Sequence, residues 1–184
     1  MSRSKSRKAR EPLNEAALYQ YAVKALGRQM RTEVELLRLM SARAEQGERG
    51  EASVTAAIAR LKEHGYLDDR AFAETYARLR QQSEKLGQRR VSQALSQKGV
   101  SSEIVRETVE ARYADTNEEA LAREHLERKR IHKPENPKET ARVMRRLVTA
   151  GFSTGVIYKI LRQWDVPGEA LAALDNLDED APEE

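Results

Sequence analysis

Arginine and lysine carry most of the usable chemistry in this sequence, and they gather in three clusters. Arg89 and Arg90 are adjacent, Arg128, Lys129 and Arg130 run on to Lys133, and Arg142 is followed by Arg145 and Arg146. Guanidinium and ammonium groups make most protein contacts to nucleic-acid phosphates, and they serve equally against an acidic protein surface. The plainer role for each cluster is a solvated helix face laced with i,i+4 Glu–Arg pairs, as Glu124 and Arg128 would be. Arg89–Arg90 and Arg145–Arg146 stand apart because each pair precedes a helix-closing glycine, Gly99 or Gly151, by nine and five residues. The offsets differ by one helical turn, so the two pairs can occupy a common face.

Other reactive residues are sparse. The histidines are His64, His125 and His132; the last two are seven apart, but no second ligand type completes a metal site, and surface positions near helix C-termini are expected. Asp68 and Asp69 are better used as helix caps than as a metal pair. There is no cysteine, so thiolate chemistry and disulfides are excluded. Neither a phosphate loop nor a dinucleotide fingerprint is present. No catalytic residue, metal or cofactor is therefore expected.

The elements that position the basic clusters read as helices throughout. Leu18, Ala22, Val23 and Leu26 keep helical spacing up to Gly27; Thr32 with Glu35 forms a capping box ahead of Leu36, Leu37 and Met40. Gln46–Glu51, with two glycines and no periodicity, predicts an exposed loop. A helix through Val54, Ile58 and Leu61 stops at Gly65, and Asp68 or Asp69 caps the next, with apolar positions Phe72, Ala73, Tyr76 and Leu79. Gly87 marks a break before Val91, Ala94 and Leu95. Beyond Gly99, Ser101 or Ser102 opens a helix through Val105 and Val109 to Tyr113. Thr116 with Glu119 predicts a second capping box, and Asn136-Pro137 a well-formed helix start before Val143, Met144, Leu147 and Val148. Tyr66, Phe72, Tyr76, Phe152 and Trp164 could stack on bases, but beside Leu and Ile at helical spacing they read as core.

Lys98-Gly99-Val100-Ser101-Ser102 aligns without gaps on Ala150-Gly151-Phe152-Ser153-Thr154, 52 positions on. A fixed period implies a supersecondary unit copied in tandem. The expected organisation is all-α, with three-helix repeats at 13–66, 67–114 and 115–167, the first the least regular. A basic tail (1–12, net +4) and an acidic one (168–184, net −7) flank a body of net +6. Tails of like charge bury nothing. No apolar run approaches the roughly 18 residues of a membrane span, and a cytoplasmic location is expected.

Gly65-Tyr66-Leu67-Asp68-Asp69-Arg70, with Phe72-Ala73 and Tyr76, resembles the signature of the RecX family, bacterial regulators of the RecA recombinase. Leu18-Tyr19, Ala22, Arg28, Arg31 and Thr32 to Leu36 are similar to that family's N-terminal helix pair. Gly87, Arg89-Arg90, Leu95 and Lys98-Gly99-Val100 are similar to its second-repeat motif. Arg145-Arg146-Leu147, Gly151-Phe152 and Val156-Ile157 are similar to its third, so the resemblance spans about residues 13–165. Glu45–Glu51 and both tails depart from the pattern. The resemblance implies a modified helix-turn-helix repeated three times in an elongated, curved array. It implies a monomer that binds the RecA filament and the single-stranded DNA within it, with weak direct DNA binding besides. Strand exchange, ATP hydrolysis and co-protease activity would be inhibited, or filament disassembly promoted, without a catalytic residue. The rival reading is a sequence-specific helix-turn-helix transcriptional regulator, which would present base-reading side chains from a dimer.

Overall fold

The structure is a computed structural model that describes residues 11–166; both charged tails, apart from Glu11 and Pro12, lie outside the described residues. Among those residues nine α-helices carry the fold: α1 (Glu15–Leu26), α2 (Glu33–Ser41), α3 (Glu48–Glu63), α4 (Asp69–Glu84), α5 (Gln88–Gln97), α6 (Ser102–Tyr113), α7 (Glu118–Arg128), α8 (Pro137–Thr149) and α9 (Thr154–Gln163). They divide into two compact units. One runs to Phe72 and includes Lys98–Val100; the other holds Ala73–Gln97 and the described residues from Ser101 on.

In the first unit α1, α2 and α3 close on a core in which Leu18, Ala22, Leu36, Met40 and Leu61 are fully buried. The capping box forms as the sequence predicts: the Thr32 hydroxyl accepts the Glu35 amide and the Glu35 carboxylate accepts the Thr32 amide. Thr32 does more than cap, because its buried hydroxyl donates to the Lys98 carbonyl at 2.6 Å. Lys98 in turn reaches the Glu35 carboxylate at 2.7 Å. Gly99, at φ +83°, packs flat on Val34; a Cβ there would lie 2.5 Å from the Val34 Cβ. Asp68 caps α4 through the Ala71 amide, whereas Asp69 accepts the Glu33 amide at the start of α2, at 2.8 Å. Burial pushes the Asp69 carboxyl above its ordinary range, with that hydrogen bond opposing.

The expected loop at Gln46–Glu51 is mostly helix. Gly47, at φ +90°, sits at the N-cap and α3 begins at Glu48. Gly50 is buried inside that helix, where a Cβ would come within 1.7 Å of the Glu45 carbonyl oxygen. The second glycine thus serves a close backbone approach rather than a turn.

The second unit contains the rest. Val91, Leu95, Leu147, Phe152, Ile160 and Leu161 are essentially buried in it. The 52-residue spacing has a physical basis: Gly99 and Gly151 both adopt left-handed φ (+83° and +88°), Val100 and Phe152 behind them are buried, and Ser101 and Ser153 both cap the next helix. Other expectations shift. Asn117, not Thr116, caps α7, by accepting the Ala120 amide at 3.0 Å; Thr116 instead accepts the buried Gln81 side chain at 2.8 Å. Glu119 is drawn into ion pairs with Arg123 and Lys159, at 2.6 Å each. Hydrogen bonding, first to Lys159 and then to Arg123, holds its carboxyl down at about 2. Leu79 and Val148 face solvent, as does Tyr66, which is 53% exposed rather than core.

Candidate polyanion-binding cleft

Residues of all three basic clusters come together in the second unit, where two backbones touch. The Gly87 amide donates to the Ala150 carbonyl at 2.8 Å, and the Arg89 amide to the Gly151 carbonyl at 3.3 Å. Neither glycine could carry a side chain: a Cβ on Gly87 would fall 2.3 Å from the Gly151 oxygen, and one on Gly151 would fall 2.2 Å from the Arg90 nitrogen. That contact fixes the first turn of α5 against the last turn of α8.

A cleft of about 630 Å³ opens above it. Its floor is apolar, formed by Leu86, Val91, Ala94, Ile131 and Ala150. Arg90 of α5, Lys129 after α7, and Arg142, Arg145 and Arg146 of α8 surround that floor. The α8 residues are at i, i+3 and i+4, so they share one face of the helix, opposite its buried Val143, Met144 and Leu147. Asn136 and Pro137 set the start of that helix as expected, and the Glu139 carboxylate closes the cap by accepting the Glu135 amide at 2.9 Å. That bond lowers the Glu139 pKa.

His125 lies beneath the basic rim. It is 5% exposed, which corrects the expectation of a surface histidine. Its Nδ1 lies 3.1 Å from the Glu84 carbonyl oxygen and therefore donates a proton, and its ring meets Phe152 edge-on at 5.8 Å. Burial, reinforced by the Lys129 charge, depresses its pKa, so the ring stays neutral and braces the cleft without adding charge. Lys85, adjacent to Glu84, pairs with Glu124 at 2.6 Å, which takes Glu124 away from the pairing with Arg128 that the sequence suggests.

The remaining predicted residues divide. Arg130, Lys133, Arg142 and Arg146 line a smaller recess of about 290 Å³, which shares Ile131, Arg142 and Arg146 with the cleft. Arg89 and Arg128 are exposed and line neither. Two more residues of the wall come from α4: Tyr76, which the sequence places in the core but which is only half-buried, and Arg80, which the sequence reading missed. Arg80 lies over the Tyr76 ring at 4.7 Å and pairs with Glu84. The signal was present as a Tyr–Arg–Glu series at i, i+4, i+8 on one helix face. Glu84 is the one carboxylate among the lining residues of the cleft, so the cations outweigh it. Among the described residues no group of three or more carboxylates, histidines or cysteines could hold a metal ion, and no helix is long and apolar enough to cross a membrane.

Fold and site together define an all-α protein, nine helices among the described residues, with cations concentrated around one cleft of its second unit. Residues 68–109 match the family model described as RecX, second three-helix domain. Over 150 residues the chain is 35% identical to a regulatory protein RecX of Thermus thermophilus, covering 81% of this chain and 93% of that one. It is 33% identical over 159 residues to the regulatory protein RecX of Deinococcus radiodurans, covering 85% and 72%. The crystal structure of RecX from Lactobacillus salivarius has the same fold, with a TM-score of 0.66 at 22% identity over 82% of this chain and 96% of that one. The chain belongs to the RecX family of regulatory proteins.

Proposed function

We propose that this chain binds the RecA–single-stranded DNA filament as a monomer in the cytoplasm and inhibits its strand exchange, ATP hydrolysis and co-protease activity, so regulating DNA repair and recombination. The observation that carries the reading is the cleft: Arg90, Lys129, Arg142, Arg145 and Arg146 around one apolar floor, in a chain of this family. Such an array acts by binding. Arginine forks take phosphate oxygens two at a time and lysine adds point charge, so a phosphate backbone or an acidic filament surface is neutralised with no bond made or broken. The apolar floor contributes desolvated surface beside those charges, which strengthens each ion pair relative to water. Buried His125 and the Gly87–Gly151 contact hold the backbone that carries the rim, so only the exposed cationic side chains have to be ordered on binding.

The test is RecA ATPase on single-stranded DNA with the wild-type chain and with Arg145→Glu/Arg146→Glu, checked for native helicity by circular dichroism. Inhibition should weaken at least tenfold in the folded double variant. Undiminished inhibition would remove the cleft from the proposal.

A further inference from the structure

The charge of residues 168–184 complements the cleft. The segment carries Glu169, Asp175, Asp178, Glu179, Asp180, Glu183 and Glu184 with no basic residue, for a net charge of −7. Leu171, Leu174 and Leu177 are interleaved with those acids at every third position. Leucines among carboxylates are what an apolar floor inside a cationic rim would select, and the cleft offers that combination.

Val166 is buried, and its amide donates to the Leu161 carbonyl at 3.3 Å. The carboxylate of Asp165, next to it, lies 3.4 Å from the Lys133 ammonium. Lys133 belongs to the recess that shares Ile131, Arg142 and Arg146 with the cleft. The acidic sequence is therefore tethered beside the cationic rim rather than across the unit from it. Its 17 residues could extend to at most about 60 Å, which is ample to cross a cleft of this volume.

We propose that residues 168–184 of this chain dock in the cleft of the same molecule and compete there with polyanions. The contact itself does not depend on the RecA reading; only the identity of the competitor rests on it. Tethering makes the competition effective even for a weak contact. At an effective concentration of about 1 mM, a segment with a dissociation constant of about 100 μM would weaken a competing ligand roughly tenfold. The same factor applies to every competing polyanion, so at a given concentration only those of high intrinsic affinity would still occupy the cleft.

The absence of cysteine allows a single nitroxide label on Ala173→Cys in the full chain. Paramagnetic broadening of backbone amides should centre on Ile131, Arg142, Arg145 and Arg146, and should vanish in the same labelled chain carrying Arg145→Glu/Arg146→Glu. Broadening that is absent, or that centres on the basic residues Arg3 to Arg10, would overturn the proposal. So would broadening seen only between a labelled chain and a separate isotope-enriched one, since the contact would then join two copies. A second measurement uses the full chain with all seven acids of the segment changed to Gln or Asn. Its affinity for fluorescent oligothymidylate at low salt should rise about tenfold, and an unchanged affinity would exclude competition. Loss of broadening in the charge-reversed chain combined with undiminished RecA inhibition would sink the filament reading alone. Absent broadening combined with weakened inhibition would sink only the docked segment.

Discussion

Gly87→Ala tests whether the cleft depends on backbone contact rather than on charge. The added Cβ would lie 2.3 Å from the Gly151 oxygen, 2.5 Å from its carbonyl carbon and 2.8 Å from the Phe152 nitrogen. All three are backbone atoms, so no side chain can swing aside; relief requires the two segments to part by about 1 Å, to reach ordinary contact distance. The 2.8 Å bond from Gly87 to Ala150 and the 3.3 Å bond from Arg89 to Gly151 would then both exceed hydrogen-bonding range. Two poorly satisfied backbone pairs at about 1 kcal/mol or more each, plus overpacking of about 1–3 kcal/mol, give a loss of about 3–5 kcal/mol. Two other glycines serve as controls. Gly155→Ala in α9 meets nothing within 4 Å and should be neutral or stabilising by up to about 1 kcal/mol. Gly65→Ala has equally open space but φ +68°, and should cost only the left-handed penalty of about 1–2 kcal/mol. Urea unfolding followed by circular dichroism ranks the three, and oligothymidylate anisotropy in the folded range follows the cleft. Gly87→Ala should be the least stable and should bind more weakly although no charge has changed. A Gly87→Ala chain as stable as Gly155→Ala would refute the argument.

Three further outcomes follow from other parts of the molecule. The His125 pKa is lowered below 6.5 in the folded chain, so the neutral ring contributes stability that is fully present above pH 6.5 and lost as pH falls below it. Urea midpoints should therefore drop between pH 7.5 and 5.5, and His125→Gln should flatten that dependence; equal slopes would contradict the assignment. Thr32→Ala removes a hydroxyl that both caps α2 and donates to the Lys98 carbonyl, and should cost about 2–3 kcal/mol in urea unfolding, with Thr32→Ser recovering most of it. In oligothymidylate titrations against salt, Arg145→Gln/Arg146→Gln should make the slope of log K against log salt shallower by about 1.4, the share of two phosphate contacts on a single strand. An unchanged slope would mean that neither arginine meets a phosphate.

Much of this arrangement is legible in the sequence because it depends on local chemistry. Thr32, Ser101, Ser153 and Asn136 cap the helices they precede, and Gly65, Gly99 and Gly151 take the left-handed conformation that a helix stop requires. What the sequence misses is decided by distant neighbours. Gly50 reads as a loop residue until the Glu45 carbonyl is found against it, and Thr116 reads as a cap until Gln81 claims its hydroxyl. His125 reads as a surface residue because the Glu84 carbonyl and the Phe152 ring that enclose it are 41 and 27 positions away. The basic clusters themselves are visible in sequence, but a local reading could not separate Arg90 from Arg89. The structure does so: Arg90, whose backbone lies against Gly151, lines the cleft, and Arg89 stays outside it.

Co-sedimentation shows whether the cations around the cleft engage the RecA–single-stranded DNA filament, with filaments assembled on single-stranded DNA, protein-free DNA alongside, and the wild-type and Arg145→Glu/Arg146→Glu chains compared. The wild-type chain should pellet with filaments, and the folded double variant should remain largely in the supernatant. Equal pelleting of the two chains, or pelleting of the wild-type chain no greater with filaments than with bare DNA, would contradict the account.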